Sequence, residues 1–137
     1  MTSRFLSDLD LRELPDGRWQ LLADLCYQSA LIGHVCAPAG LVTDLASTPR
    51  LPFAYWFYGD RARKPAVVHD HLYATRAVDR ATADAVFAEA MDALGVAAWI
   101  RGPMWAAVRA FGWRAYRSAD TRRAAMNPGL PSHTETA

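Results

Sequence analysis

The chain has 137 residues, of which 52% are hydrophobic, and it contains five tryptophans. This length and composition are typical of one folded domain and argue against a disordered chain. With 15 basic and 14 acidic residues the net charge is +1, so no general attraction to nucleic acid is predicted. The first residues lack the apolar run of a signal peptide, and no run of about 20 apolar residues could span a bilayer. We therefore expect a protein made and kept in a cytoplasm, unless a lysis event or a particle carries it out.

The N-terminal region predicts antiparallel strands joined by turns. Residues 15–17, Pro-Asp-Gly, favour a turn, because proline presets φ and glycine accepts a positive φ. A strand is predicted over 19–27, although its alternation is imperfect, and a second strand over 31–37. Residues 29–33 would connect these two strands, and a hairpin is one way to do so.

The two cysteines, Cys26 and Cys36, fall on these two predicted strands. They could pair, but a reducing compartment disfavours a disulfide, and two thiols without a nearby histidine make a poor zinc site. We expect both to be small core residues. No role is assigned to His34, placed in a turn, or to His133, placed in the tail.

The remainder of the chain predicts helices. The predicted spans are 66–76, 79–94 and 97–118, the last broken or kinked at Pro103. Pro65 is a favoured first-turn residue, Asp79 is placed to cap the second helix, and Gly95 is placed to end it. The predicted fold class is α+β, a small antiparallel β region followed by about three helices. Residues 1–126 are expected to form one domain and 127–137 a flexible tail.

One functional site is predicted around His69 on the first helix. His69 and Tyr73 lie one helical turn apart and point toward the core or a cleft. On the second helix Asp84 shares a stripe with Phe87 and Met91, so it heads a buried face and requires a partner. The short connection lets the two helices pack antiparallel, which would return Asp84 to His69. Asp84 would then orient a general-base histidine, or the pair would be a buried network that only locks the helices.

A cation site is predicted beside this histidine. Asp44 lies in the loop 40–50 where strands give way to helices, and it could join Asp70 around a divalent cation. Ser47 in the same loop is better explained as the N-cap of a short helix over 49–57. Asp70 could instead form surface ion pairs with one of three basic residues, Arg63, Lys64 or Arg76.

Three stretches of the chain together resemble an uncharacterised bacterial and phage family, domain of unknown function 1353. They are Gly-Leu-Val-Thr-Asp-Leu-Ala-Ser-Thr-Pro-Arg at 40–50, Val-Val-His-Asp-His-Leu-Tyr at 67–73 and Ala-Asp-Ala-Val-Phe-Ala-Glu-Ala-Met at 83–91. The resemblance extends from about Trp19 to Phe111. It implies a phage or prophage gene, and the family name carries no established activity.

Residues 69–73, His-Asp-His-Leu-Tyr, are also similar to the His-Asp-x-Cys-Tyr helix of secreted phospholipases A2. The similarity implies that His69 activates water, that Asp70 binds calcium and that Tyr73 supports Asp84. Leu72 replaces the cysteine of that motif, and the disulfide framework and the glycine-rich calcium loop are absent. If calcium binds, Asp44 and loop carbonyls would have to substitute for the missing loop.

Two functions of different classes follow from these residues. In the first, the chain is a small metal-dependent hydrolase of an ester or phosphoester, with a lipid as a possible substrate. His69, Asp84 and Tyr73 would be its catalytic residues, and Asp70 and Asp44 would hold a divalent cation, calcium being the first expectation. In the second, the chain is a non-enzymatic phage component that assembles into a virion or binds a phage or host protein.

Overall fold

A computed structural model describes residues 2–43, 52–111, 113, 116 and 117, with the backbone alone for 52–62 and 111. Within these residues the chain forms short strands followed by helices, which confirms the predicted α+β class. The strands are β1 (Arg4–Phe5), β2 (Leu11–Glu13), β3 (Trp19–Leu21), β4 (Leu25–Ser29), β5 (Gly33–Ala37) and β6 (Val42–Thr43). The helices are α1 (Pro52–Thr75), α2 (Arg80–Ala93) and α3 (Ala98–Phe111).

The strands form two antiparallel three-stranded sheets, ordered β1-β4-β5 and β2-β3-β6. The predicted turn at 15–17 joins β2 to β3, and Gly17 adopts a φ of 86° there. The single strand predicted over 19–27 is wrong, because the chain leaves one sheet after Leu21 and enters the other at Leu25. The exposed residues 22–24 make this crossing, which explains the imperfect alternation of the sequence.

Strands β4 and β5 form a hairpin in which Cys26 lies directly opposite Cys36. The two residues form a disulfide, so the prediction of two reduced core cysteines is wrong. The backbone of Cys26 faces β1, where its N–H donates to Ser7 Oγ and its carbonyl accepts from the Leu6 N–H, each at 2.9 Å. Cys26 and Cys36 are therefore a non-hydrogen-bonded pair, the kind in which opposing side chains lie closest. His34 lies on β5 rather than in a turn.

Helix α1 is longer than the sequence predicts and contains Pro65 in its interior. Pro65 lacks an N–H donor, so one backbone hydrogen bond is missing at this point. Its side chain is fully buried, and this packing offsets the loss. The short helix expected over 49–57 is not separate, because residues 52–57 belong to α1, whereas Ser47 lies outside the described residues.

The boundaries of α2 follow the predicted signals. The Asp79 side chain accepts a hydrogen bond of 2.7 Å from the Thr82 N–H as the N-cap, and Gly95 takes a φ of 78° after the last turn. Helix α3 continues through Pro103 without a break. The tail predicted over 127–137 lies outside the described residues, and the single-domain boundary at 126 stays a prediction.

The core lies between the sheets and the helices. Sheet β1-β4-β5 contributes Leu25 and Tyr27, and the helices contribute Val67, Phe87 and other apolar side chains. The Tyr27 hydroxyl donates to Glu89 Oε1 at 2.6 Å, which ties this sheet to α2. Desolvation by burial and this bond to a carboxylate raise the pKa of Tyr27. Within the described part of the chain, no helix has the length and apolar character needed to cross a bilayer.

Candidate functional site at the junction of three helices

The connection after α1 is short, and α2 returns along it so that Asp84 meets His69. The His69 Nε2 and Asp84 Oδ1 atoms are 2.7 Å apart, and both side chains are buried. The His69 ring also packs on Tyr73 and on Phe87, with centroid separations of 4.1 and 5.0 Å. The antiparallel helix pair predicted from the Asp84 stripe is confirmed.

Asp84 is fully buried and is bound by four side chains from the three helices. Its Oδ1 accepts from the Tyr73 hydroxyl at 2.5 Å as well as bonding His69. Its Oδ2 lies 3.0 Å from Arg109 Nη1 and 3.6 Å from Arg80 Nη1. Because a buried carboxylate without partners is costly, this set of donors is what makes the position tenable.

The donors determine the charge state of Asp84. Burial alone raises the pKa of this carboxyl, but the hydrogen bonds from His69, Tyr73 and Arg109 outweigh burial and lower it. Asp84 is therefore ionised at neutral pH. Burial and the hydrogen bond to Asp84 raise the pKa of Tyr73, so Tyr73 remains a protonated donor.

An ionised carboxylate at Nε2 sets the tautomer of His69. Asp84 accepts a hydrogen bond from Nε2–H, so in the neutral ring Nδ1 carries the lone pair. This arrangement is the one required of a general-base histidine, in which one nitrogen is oriented by a carboxylate and the other takes a proton. It is equally a stable way to bury a histidine between two helices.

The Asp70 side chain bonds Thr43 on β6, whereas the His69 side chain bonds Asp84 on α2. The Thr43 hydroxyl on β6 donates a hydrogen bond to Asp70 Oδ2, which links the end of the sheet region to α1. Thr43 is buried, and Asp70 is partly buried. Asp44 follows Thr43 in the sequence but lies outside the described residues, so the predicted pairing of Asp44 with Asp70 stays a prediction.

Three residues that contact Asp84 or Asp70 were not predicted from the sequence, namely Arg80, Arg109 and Thr43. Arg80 lies four residues before Asp84 on α2, and this i, i+4 spacing was a usable signal. Arg80 Nη1 also donates to the carbonyl of Arg109 at 3.0 Å. The contact of Arg109 with Asp84 depends on how α3 docks, and the contact of Thr43 with Asp70 depends on where β6 ends. No local pattern reveals either contact.

The chain is similar to a known protein family over most of its length. A family described as "Protein of unknown function (DUF1353)" matches residues 19–108, which is more than half of the chain. The chain belongs to the DUF1353 family. The match confirms the resemblance seen in the sequence and includes His69, Asp70, Tyr73 and Asp84. No curated protein and no solved structure matches significantly.

Proposed function

We propose that this DUF1353 protein is a small, phage- or prophage-encoded hydrolase of ester or phosphoester bonds, with lipid-like molecules as the first substrate class. The observation that carries the proposal is the buried couple of His69 on α1 and Asp84 on α2, with 2.7 Å between Nε2 and Oδ1. Asp70 follows His69 in the sequence, and the similarity to the phospholipase A2 motif assigns roles to these three residues and to Tyr73.

The proposed proton transfer uses Nδ1 of His69. A water molecule loses a proton to Nδ1 as its oxygen attacks the ester carbon or the phosphorus. The bond to the leaving oxygen then breaks, that oxygen takes the proton back from Nδ1, and His69 is an imidazolium between the two transfers. Ionised Asp84, bonded to Nε2–H, stabilises that charge and fixes the plane of the ring. Tyr73 and Arg109 hold Asp84 in place, so they act through it rather than on the substrate.

The proposed hydrolase would use a hard divalent cation held by two carboxylates. Asp70 follows His69 in the sequence and bonds Thr43, and Asp44 follows Thr43 in the sequence. Carboxylate, hydroxyl and carbonyl oxygens are the ligands that calcium prefers. Asp70 and Asp44 would hold the ion, which when bound would polarise the substrate oxygen that gains negative charge.

A substrate panel tests this proposal. Aryl esters, an aryl phosphodiester and phospholipid in mixed micelles are assayed with calcium and with a chelator. We expect hydrolysis that requires calcium and falls on the order of a hundredfold in Asp70→Asn. Asp10→Asn, which changes an exposed carboxylate outside the site, should retain full activity. Absence of hydrolysis on every substrate, or equal activity of the two variants, would overturn the proposal.

A second candidate function is non-enzymatic assembly, and the outer face of α3 favours it. The exposed residues of this helix are all apolar, and they include Trp99 and Trp105, which are 73% and 42% exposed. Such a continuous apolar face is typical of a protein interface. The face also places small residues, Gly102 and Ala106, between tryptophans, which suits packing against the same helix of a second copy.

Sedimentation velocity across a range of concentrations tests this second function. If the chain assembles through α3, the wild type should self-associate and Trp99→Glu should be monomeric. Leu31→Glu is the matched control, since Leu31 is 58% exposed on the β4–β5 hairpin rather than on α3. A wild type that stays monomeric at all concentrations would contradict assembly through this face.

A further inference from the structure

The β4–β5 hairpin carries a second cluster of chemically active side chains, outside the His69 site. Along β4, buried residues such as Leu25 and Tyr27 alternate with the less buried Cys26. On β5, His34 is exposed and Cys36 is partly buried. Because side chains alternate between the two faces of a strand, the cysteines and His34 share the face opposite Tyr27.

The side chains of Cys26, His34 and Cys36 bring three potential metal-ligand atoms close together. Cys36 and His34 are two residues apart on one strand, and Cys26 lies directly opposite Cys36 on the other. The Cys36 Sγ and His34 Nε2 atoms are 3.1 Å apart. All three potential ligand atoms, the two sulfurs and one ring nitrogen, lie within 4.8 Å of one another.

We propose that the reduced chain binds one zinc ion through Cys26 Sγ, Cys36 Sγ and His34 Nε2, and that disulfide formation releases the ion. Thiolate and imidazole are the ligands that zinc prefers, and three protein ligands leave a fourth position for water. After reduction the sulfurs can separate to about 3.8 Å, the spacing set by Zn–S bonds of about 2.3 Å in a tetrahedral site. His34 is exposed, so the ion can enter from solvent.

Conversion between the disulfide and the zinc-bound dithiolate conserves electrons and protons. A dithiol reductant gives two electrons and two protons to the Cys26–Cys36 disulfide, and the reductant becomes a cyclic disulfide. Zinc then displaces both thiol protons as the thiolates bind. In the reverse direction a disulfide oxidant takes up two electrons from the thiolates and two protons from solvent, the Cys26–Cys36 bond forms again and zinc is released.

Cobalt binding to the full-length chain tests the proposal. Reduced wild type, freed of reductant, should bind one Co²⁺ per chain with the thiolate charge-transfer and tetrahedral d–d absorption bands, and zinc should displace the cobalt. His34→Ala should bind Co²⁺ at least about tenfold more weakly than the wild type. Gln28→Ala, which alters a non-cysteine position paired with His34, should bind like the wild type. The oxidised chain should not bind.

Two results would overturn the site. One is a reduced wild type that gives no thiolate–cobalt bands, and the other is a His34→Ala variant that binds as tightly as the wild type. The Cys26→Ser, Cys36→Ser double variant, whose fold is checked by circular dichroism, should show no bands. This site is independent of the proposed hydrolase, because it lies on the face of the sheet opposite the core residue Tyr27.

Discussion

At the scale of single residues, Asp84 organises the site because four donors from three helices meet at one carboxylate. Its link to His69 could be predicted, since an acidic residue on an otherwise apolar stripe requires a partner and the helix connection is short. Tyr73 could be predicted from its position one turn after His69. The contact with Arg109 could not, because 25 residues separate it from Asp84 and only the docking of α3 brings them together.

Asp84→Asn tests how much this cluster contributes to stability. The neutral amide directs N–H donors toward a cluster that already consists of donors, so we expect a loss of about 3 kcal/mol in the free energy of unfolding. Asp92→Asn is the matched control, because Asp92 is 71% exposed in its ion pair with Arg101 and should contribute less than about 1 kcal/mol. Urea unfolding measures both. Equal losses in the two variants would contradict a central role for Asp84.

The lowered pKa of Asp84 predicts a pH dependence with a definite sign. The unfolded carboxyl titrates near 3.8 and the folded one below that value, so its stabilising contribution is complete above pH 3.8. The contribution is lost as the pH falls through the folded pKa. Unfolding free energies measured from neutral pH into acid should therefore fall more steeply for the wild type than for Asp84→Asn. Parallel curves would show that Asp84 is not the group responsible.

At the scale of elements, the helices follow local signals better than the strands do. Asp79 and Gly95 bound α2 as predicted because caps act through adjacent backbone groups. Pro65 misled the prediction, because its preference for a helix start is local whereas its burial in the core is a tertiary effect. The split of 19–27 into two sheets likewise depends on the pairing of β3 with β6 and of β4 with β1, which are distant in the sequence.

The N-cap of α2 gives a test at this scale. Asp79→Ala removes the acceptor of the Thr82 N–H, and we expect a loss of about 1 kcal/mol in unfolding free energy. Asp79→Asn keeps a capping oxygen and should remain close to the wild type. Thermal or urea unfolding of the pair separates capping from charge. If Asn and Ala destabilise equally, the side-chain hydrogen bond is not what stabilises this end of the helix.

At the scale of the whole molecule, the consecutive α1 residues His69 and Asp70 bond to two different parts of the fold. His69 is held by α2, and Asp70 is held by β6 through Thr43. Sequence patterns predicted that strands precede helices and that α1 and α2 pack as an antiparallel pair. They could not predict the pairing of β1 with β4, the pairing of β3 with β6 or the docking of α3, because each depends on contacts between distant segments. The Cys26–Cys36 disulfide lies within one hairpin, and the prediction missed it because it assumed a reducing compartment.

The proposed function requires that His69 supply a base and not only a buried hydrogen bond. His69→Gln separates these roles, since the glutamine amide N–H can donate to Asp84 as Nε2–H does, but the amide cannot take a proton at neutral pH. His71→Gln is the matched control, because His71 lies on the same helix outside the Asp84 cluster.

The decisive measurement is kcat/KM of these two variants and the wild type on the best substrate of the panel, with folding checked by thermal melting. We predict that His69→Gln stays folded and loses activity by a factor on the order of a hundred or more, whereas His71→Gln keeps it. A folded His69→Gln variant with wild-type kcat/KM would contradict the assignment of His69 as the general base.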